Sequence, residues 1–324
     1  EKGAEPPVLA VAEDASAVVP LLGGLGGVND MARAIAASLQ VAAAITTSGE
    51  LRFGTCLLNP PSGYALGDLE TGKRFVSDLL AGESVRIEGD APWLAGAQLP
   101  ENPQARLAIH VSSAEREPAA NELLIYPRNV MARVAAVVPA QAIREALHDM
   151  QLAWQSLACI VADDALMASP QLHEAAAELG VPLRFVSAGE QVLPVVWHES
   201  GNGLLLGIAP APLDPQLIGR PRGRLAVIGL GPGAAELMVP AVKAELARAN
   251  DVLGYETYVR MAGPFRDDQV LHCTDNREEM QRARHAFELA AQGRSVVVVS
   301  SGDPGVFAMA AAVLEALHES GDAQ

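Results

Sequence analysis

The sequence predicts an α/β protein, built as successive three-layer α/β domains with largely parallel sheets. Two unbroken apolar runs, Leu225 to Ile228 and Val296 to Val299, each lead into a glycine-rich turn and then a helical pattern. A short continuous apolar run suits a strand buried on both faces, as in a parallel sheet under helices. The earlier part of the chain repeats the same strand and helix alternation. A proline-rich stretch, 209–223, separates the two patterns, as a domain boundary does.

Composition narrows the function classes. The chain has 324 residues, half of them hydrophobic, enough for more than one core. A net charge of −16 argues against a nucleic-acid binder, which needs a basic face. No apolar run is long enough to span a bilayer, and no signal-peptide pattern opens the sequence. Cys56, Cys159 and Cys273 are far apart and lack metal-like spacing, a usage that suits a reducing cytoplasm. The sequence opens at Glu1 without Met and stops at Gln324, so it reads as a piece of a longer chain.

In the first region, 1–105, Val8 to Val11 and Val18 to Leu22 read as strands. A glycine cluster, Gly23-Gly-Leu-Gly-Gly27, follows, and then a helix with Met31, Ala34, Ile35 and Leu39 on one face. Asn29 and Asp30 stand where an N-cap belongs. Ala42 to Ile45 reads as the next strand, ending in Thr46 and Thr47, and the βαβ-like order predicts parallel pairing. The glycine cluster suits either an anion held at the helix N-terminus or a tight packed turn.

In the second region, 106–208, Leu123 to Tyr126 and Val130 to Val138 are strand-like, and 140–152 is an amphipathic helix. Leu157 to Val161 is a strand ending in Asp163 and Asp164. Residues 170–179 form a helix closed by Gly180, the favoured residue just past a helix end. Val181 to Ser187 is the last clear strand. In the linker, 209–223, Pro210, Pro212, Pro215 and Pro221 predict a semi-rigid spacer.

In the last region, 224–324, the strand of Leu225 to Ile228 enters a turn made of Gly229, Gly231, Pro232 and Gly233. Glycine permits positive φ and close approach of another molecule to the backbone. The turn departs from the dinucleotide fingerprint, because the third glycine position is Ala234 and Pro232 has no N–H to donate. Asp251 to Gly254 reads as a strand running into Tyr255, Glu256 and Tyr258. Asn276 stands as the cap of a helix over 277–291. Val296 to Val299 ends in Ser300-Ser-Gly-Asp-Pro-Gly305, with a helix over 307–317. In an open parallel sheet both turns fall at the carboxyl edge, where ligands bind. Asp303 offers a carboxylate there, or caps the next helix.

Gly229-Leu-Gly-Pro-Gly233, Gly254-Tyr-Glu-Thr-Tyr258 and Ser301-Gly-Asp-Pro-Gly305 together resemble the tetrapyrrole (precorrin) methylase family over about 222–324. Their form is most similar to the precorrin-3B C(17)-methyltransferase branch. The last region then resembles the N-terminal domain of such an enzyme. The resemblance implies S-adenosylmethionine as cofactor, an anionic precorrin as substrate, and a homodimeric assembly. It also implies a place in cobalamin synthesis, with no nucleic-acid or membrane partner. It assigns cofactor contacts to Gly231, Pro232, Gly233, Ser301, Gly302, Asp303 and Val306. Glu256 would stand beside the substrate as the proton-moving carboxylate, with Tyr255 and Tyr258 stacking on the macrocycle. No metal ligand set is implied. As plain residues, Glu256 reads equally as a surface turn residue, and the tyrosines as packing.

Pro20-Leu-Leu-Gly-Gly-Leu-Gly-Gly-Val-Asn29, Ile45-Thr-Thr47 and Gly82-Glu-Ser-Val-Arg-Ile-Glu-Gly-Asp90 resemble the cobalamin-biosynthesis G family, the cobalt-precorrin-5A hydrolases. That loop carries a His in the family, and here Gly24 is followed by Leu25 and Gly26. The family's polar turn is replaced by Ala135-Ala-Val-Val-Pro-Ala140. The first two regions therefore read as a degenerate hydrolase-like module. Three functions stay open: C(17)-methylation of precorrin-3B with ring contraction, hydrolysis of a corrin lactone, and non-catalytic binding of an anionic tetrapyrrole.

Overall fold

The computed structural model describes residues 6–24, 27–45, 47–187, 196–200, 203–275, 277–306 and 308–320. Leu25, Gly26, Thr46, Asn276 and Phe307, all named above, lie outside the described residues. Contacts gather into two compact units. One comprises Glu1–Arg133, Val138–Cys159 and Pro194–Pro215; the other comprises Val134–Val137, Ile160–Leu193 and Gln216–Gln324.

At the start, β1 (Val8–Val11) and β2 (Val18–Leu22) form where expected and pair antiparallel with each other. The connection over 12–17 is too short for a parallel crossover, which needs a dozen or more residues. Asp14 tightens it by accepting from the Ser16 amide and hydroxyl at 3.1 and 2.6 Å. The run at 42–45 makes only an isolated parallel bridge, Ala43 to Val18. The helix α1 (Val28–Ser38) starts earlier than the sequence suggested, because Gly27 takes φ 82° and serves as its cap. Asn29 is therefore inside the helix and buried, with its amide on the Thr47 hydroxyl and the Glu50 carboxylate.

Next come α2 (Ser48–Phe53), β3 (Tyr64–Leu66), α3 (Leu69–Leu80), β4 (Val85–Glu88), β5 (Leu107–Val111) and β6 (Glu122–Pro127). Asp68 caps α3 by accepting from the Thr71 amide. The sheet order is β3-β6-β5-β4, with β4, β5 and β6 parallel and β3 antiparallel to β6. Strands on either side of residue 105 therefore share one sheet. Phe53, Phe75 and Leu79 pack on one face against Leu107, Ile109, Leu123 and Ile125.

The middle sheet joins β7 (Val130–Val134), β8 (Leu157–Asp163), β9 (Leu183–Val186), β10 (Val196–Glu199) and β11 (Leu204–Ile208) in the order β10-β11-β7-β8-β9. The helices α4 (Ala140–Asp149) and α5 (Pro170–Leu179) accompany it. Ser169 caps α5 and Gly180, at φ 64°, ends it as the sequence indicated. β7 stops at Val134, short of the expected residue 138, and Pro139 then caps α4.

The last sheet is wholly parallel. It holds β12 (Arg224–Gly229), β13 (Asp251–Tyr255), β14 (Val270–Thr274) and β15 (Ser295–Ser300) in the order β12-β15-β13-β14. The helices are α6 (Pro240–Arg248), α7 (Glu256–Ala262), α8 (Glu279–Ala291) and α9 (Met309–Ser320). Alternation along β15 explains the three layers. Val297 and Val299 face a core with α6 and α7, while Val296 and Val298 face one with α8 and α9. All four valines are within 1% of full burial, so an all-apolar strand is what this position demands.

The proline-rich linker is not free along its length. The Phe185 amide donates to the Arg220 carbonyl at 2.8 Å, and the Arg220 amide returns a bond at 2.9 Å. Arg184 Nε donates to the Ile218 carbonyl at 2.7 Å. Gly219 sits at φ 47°, and a Cβ there would meet the Phe185 carbonyl oxygen at 2.1 Å. No helix among the described residues is long and apolar enough to cross a membrane.

Candidate functional site

Because β12, β15 and β13 are parallel neighbours, their carboxyl ends bring three motif turns to one edge. Gly229 ends β12, Ser300 ends β15 and Tyr255 ends β13. The first two turns are joined directly. The Gly231 amide donates to the Gly302 carbonyl at 3.2 Å, and the Gly302 amide donates back to the Gly231 carbonyl at 3.0 Å. The Leu230 amide donates to the Ser300 carbonyl at 2.9 Å.

Glycine is required where these turns touch. A Cβ on Gly229 would lie 2.1 Å from the Gly302 carbonyl oxygen and 2.7 Å from Pro304 Cδ. Gly231 and Gly302 adopt φ 68° and 61°, which side chains disfavour. Among the described residues a Cβ on Gly302 would meet nothing within 4 Å, and one on Gly231 only the Leu237 carbonyl at 3.8 Å. Among the described residues the paired backbone therefore has open space where those Cβ atoms would point. Gly233, at φ 106°, has Met261 Cε 3.0 Å from its notional Cβ. The structure thus adds Met261, on α7, to the surroundings of the first turn.

Ser301, Gly302 and Asp303 are exposed, and so is Val306. Asp303 does not cap α9, which starts six residues on. Its Oδ1 instead accepts from the Gly305 amide at 2.7 Å, while the Val306 amide donates to the Asp303 carbonyl. The carboxylate is spent on shaping its own turn.

Glu256 is the first residue of α7, exposed, and ion-paired with Arg260. Sequence reasoning missed Arg260, although a Glu and an Arg four apart are the signal for such a pair on one helix face. The Tyr255 and Tyr258 rings meet edge to face, with centroids 5.4 Å apart at 80°. Tyr258 also packs on the core beneath α6 and α7. The structure thus gathers all three motifs at one sheet edge, with Glu256 solvent-facing and Tyr258 committed in part to packing. Among the described residues no group of three or more His, Cys, Asp or Glu side chains is placed to hold a metal.

Comparison with known proteins follows the same division. Residues 1–50 match the family described as Cobalamin synthesis G N-terminal, and residues 224–323 match Tetrapyrrole (Corrin/Porphyrin) Methylases. The chain is 46% identical over 136 residues to cobalamin biosynthesis protein CobIJ of Mycobacterium bovis, covering 41% of this chain and 26% of the relative. It is 47% identical over 97 residues to precorrin-3B C(17)-methyltransferase of a Sinorhizobium species, covering 30% and 38%. The crystal structure of the methyltransferase CobJ is 56% identical over 31% of this chain and 41% of that one, with a TM-score of 0.30. The chain spans 26% to 38% of the length of these two curated relatives. Its matches to the two family models thus fall in order along the chain, one at the start and one over the last region.

Proposed function

We propose that this chain contributes the donor-binding half of an S-adenosylmethionine-dependent methyltransferase of cobalamin synthesis. The reaction is C-methylation of precorrin-3B at C(17) with ring contraction. The carrying observation is the pair of glycine turns bonded to each other at the carboxyl edge of a parallel sheet, with open space beside Gly231 and Gly302. The curated relatives named for methylation at C(17) support the substrate class. A cytoplasmic setting and a homodimer go with that reading.

The residues present fit the cofactor. Gly231, Pro232 and Gly233 would line one side and Ser301, Gly302 and Asp303 the other, with Val306 as an apolar contact. When bound, S-adenosylmethionine supplies an activated methyl group on a sulfonium, a good leaving group. The protein's share is orientation and exclusion of water rather than strong acid–base catalysis. The locked turns give a fixed backbone surface against which a donor can be held in line. Tyr255 would face the macrocycle, with Tyr258 holding its ring edge to face. Glu256 would take up a proton at its carboxylate, with Arg260 orienting that carboxylate. The segment before residue 209 would handle substrate or serve as scaffold rather than catalyse.

Titration calorimetry of S-adenosylhomocysteine into the chain tests this. Binding is expected, weakened by at least about tenfold in Val306→Arg, which places a long cation on the edge without entering a core. The melting temperature of that variant should match the parent. Absence of binding at millimolar ligand would overturn the reading for this chain. Glu256→Gln should leave that binding unchanged. In an assay of methyl transfer it should lower turnover by about 100-fold, the lower range for a lost acid–base group.

A further inference from the structure

We infer that the second unit carries a binding site for an apolar polycarboxylate, at the opposite edge of the last sheet from the glycine turns. A cleft of about 1000 Å³ lies there, lined by Arg220, Arg222 and Arg224 among others. Arg224 begins β12, whereas the glycine turn follows Gly229 at that strand's other end. Five steps at roughly 3.3 Å per residue separate the two positions by about 16 Å.

Three arginines within five residues are unusual for a chain of net charge −16 with only 23 basic residues in all. Two of them are held. Arg220 pairs with Asp164 at 3.2 Å and donates to the Ala291 carbonyl at the end of α8. Arg224 takes both carboxylate oxygens of Glu245 at 2.8 Å. Arg222 is exposed, and among the described residues it has no hydrogen bond or ion pair. Its position is nonetheless fixed by its neighbour. A Cβ on Gly223 would lie 1.7 Å from the Ala290 carbonyl oxygen, so the backbone there is pressed onto α8.

The rest of the wall is largely apolar, with Met167, Leu225, Phe287 and Leu317. Asp164 and Glu288 also line it, and Asp164 is already neutralised by Arg220. An open guanidinium flanked by two anchored ones recognises carboxylates through its planar fork. The apolar wall and the volume suit a large body rather than a small inorganic anion. The choice of a carboxylated macrocycle as occupant rests on the methylase reading above. The site itself does not coincide with the proposed donor pocket.

The test uses the full chain and uroporphyrin, a planar octacarboxylate, followed by its Soret band. Mellitate, a small hexacarboxylate, and anilinonaphthalene sulfonate, an apolar monoanion, serve as comparison probes. Uroporphyrin should bind, and Arg222→Glu should weaken it about tenfold while Arg222→Lys retains most of it. Val306→Arg should leave it unchanged. Equal affinity of the parent and Arg222→Glu would overturn the inference, as would loss of binding in Val306→Arg alone. Tighter binding of either comparison probe than of uroporphyrin would overturn the assigned class. S-adenosylhomocysteine titrated into the same proteins separates the two readings, since its binding depends on the glycine turns and not on Arg222.

Discussion

Gly229→Ala should destabilise the last sheet by about 3 kcal/mol and lower the melting temperature by roughly 10 °C. It should also remove most affinity for S-adenosylhomocysteine. The added Cβ would sit 2.1 Å from a backbone oxygen, that of Gly302, and no side-chain rotation relieves such a contact. One of the two turns must move, and the reciprocal Gly231 and Gly302 bonds break with it. Gly302→Ala is the matching control. Among the described residues its Cβ meets nothing within 4 Å, so it bears the strain of φ 61°, about 1 kcal/mol. Calorimetric melting of both variants checks this. A Gly229→Ala protein melting like the parent would show that the turns are not held together as described.

Asp251→Ala should cost about 3–5 kcal/mol, as breaking a buried ion pair does. Asp251 begins β13 and is 1% exposed. His272 Nε2 lies 2.9 Å from its Oδ1, and Arg294 Nε donates to its Oδ2. Burial alone would raise the Asp251 pKa. The hydrogen bonds from Arg294 and His272 outweigh burial and hold it below the usual carboxylate range. A folded-state pKa below the unfolded one adds stability above the unfolded value, near about 3.9. That stability is lost as pH falls through the folded value. Urea unfolding from pH 7 down to about pH 2.5 should therefore show a smaller acid loss for Asp251→Asn than for the parent. An identical pH profile for the two proteins would sink the claim. Glu122 acts in the same direction in the other unit, because the Ala119 amide, His110 and Arg116 outweigh its burial.

How much of this was legible in the sequence depended on the range of the forces involved. The strand β15 was readable because burial on both faces admits only apolar residues at Val296 to Val299, and β12 and β13 were readable from shorter apolar runs. Gly180 and the capped α5 were readable because caps are local chemistry. The short β3, β4 and β14 were not, since three to five residues carry too little periodicity. β14 in addition leaves Val270 and Leu271 exposed. The parallel sense of the βαβ-like unit was readable and survives as the Ala43 to Val18 bridge, whereas the antiparallel β1–β2 ribbon follows from its short connection. The start of α1 was displaced because a left-handed Gly27 took the cap, leaving Asn29 to the Thr47 hydroxyl and to the buried Glu50 carboxylate 21 residues away.

The candidate site divides in the same way. Glycine and proline at fixed spacing announced both turns and their order along the chain, because backbone conformation is encoded by residue type at the position itself. That Gly229 must be glycine for the sake of Gly302, 73 residues later, was decided only by the parallel register of β12 and β15. The same holds for the burial of Asp251 and for the convergence of Arg220, Arg222 and Arg224 on one cleft. By itself the sequence determined the α/β class and the glycine-rich turns that follow the apolar strands, which rest on local composition and periodicity. Tertiary structure alone decided which turns touch, which charges are paired and which arginine is left open. Those outcomes depend on groups brought together across long stretches of chain, which no local pattern records.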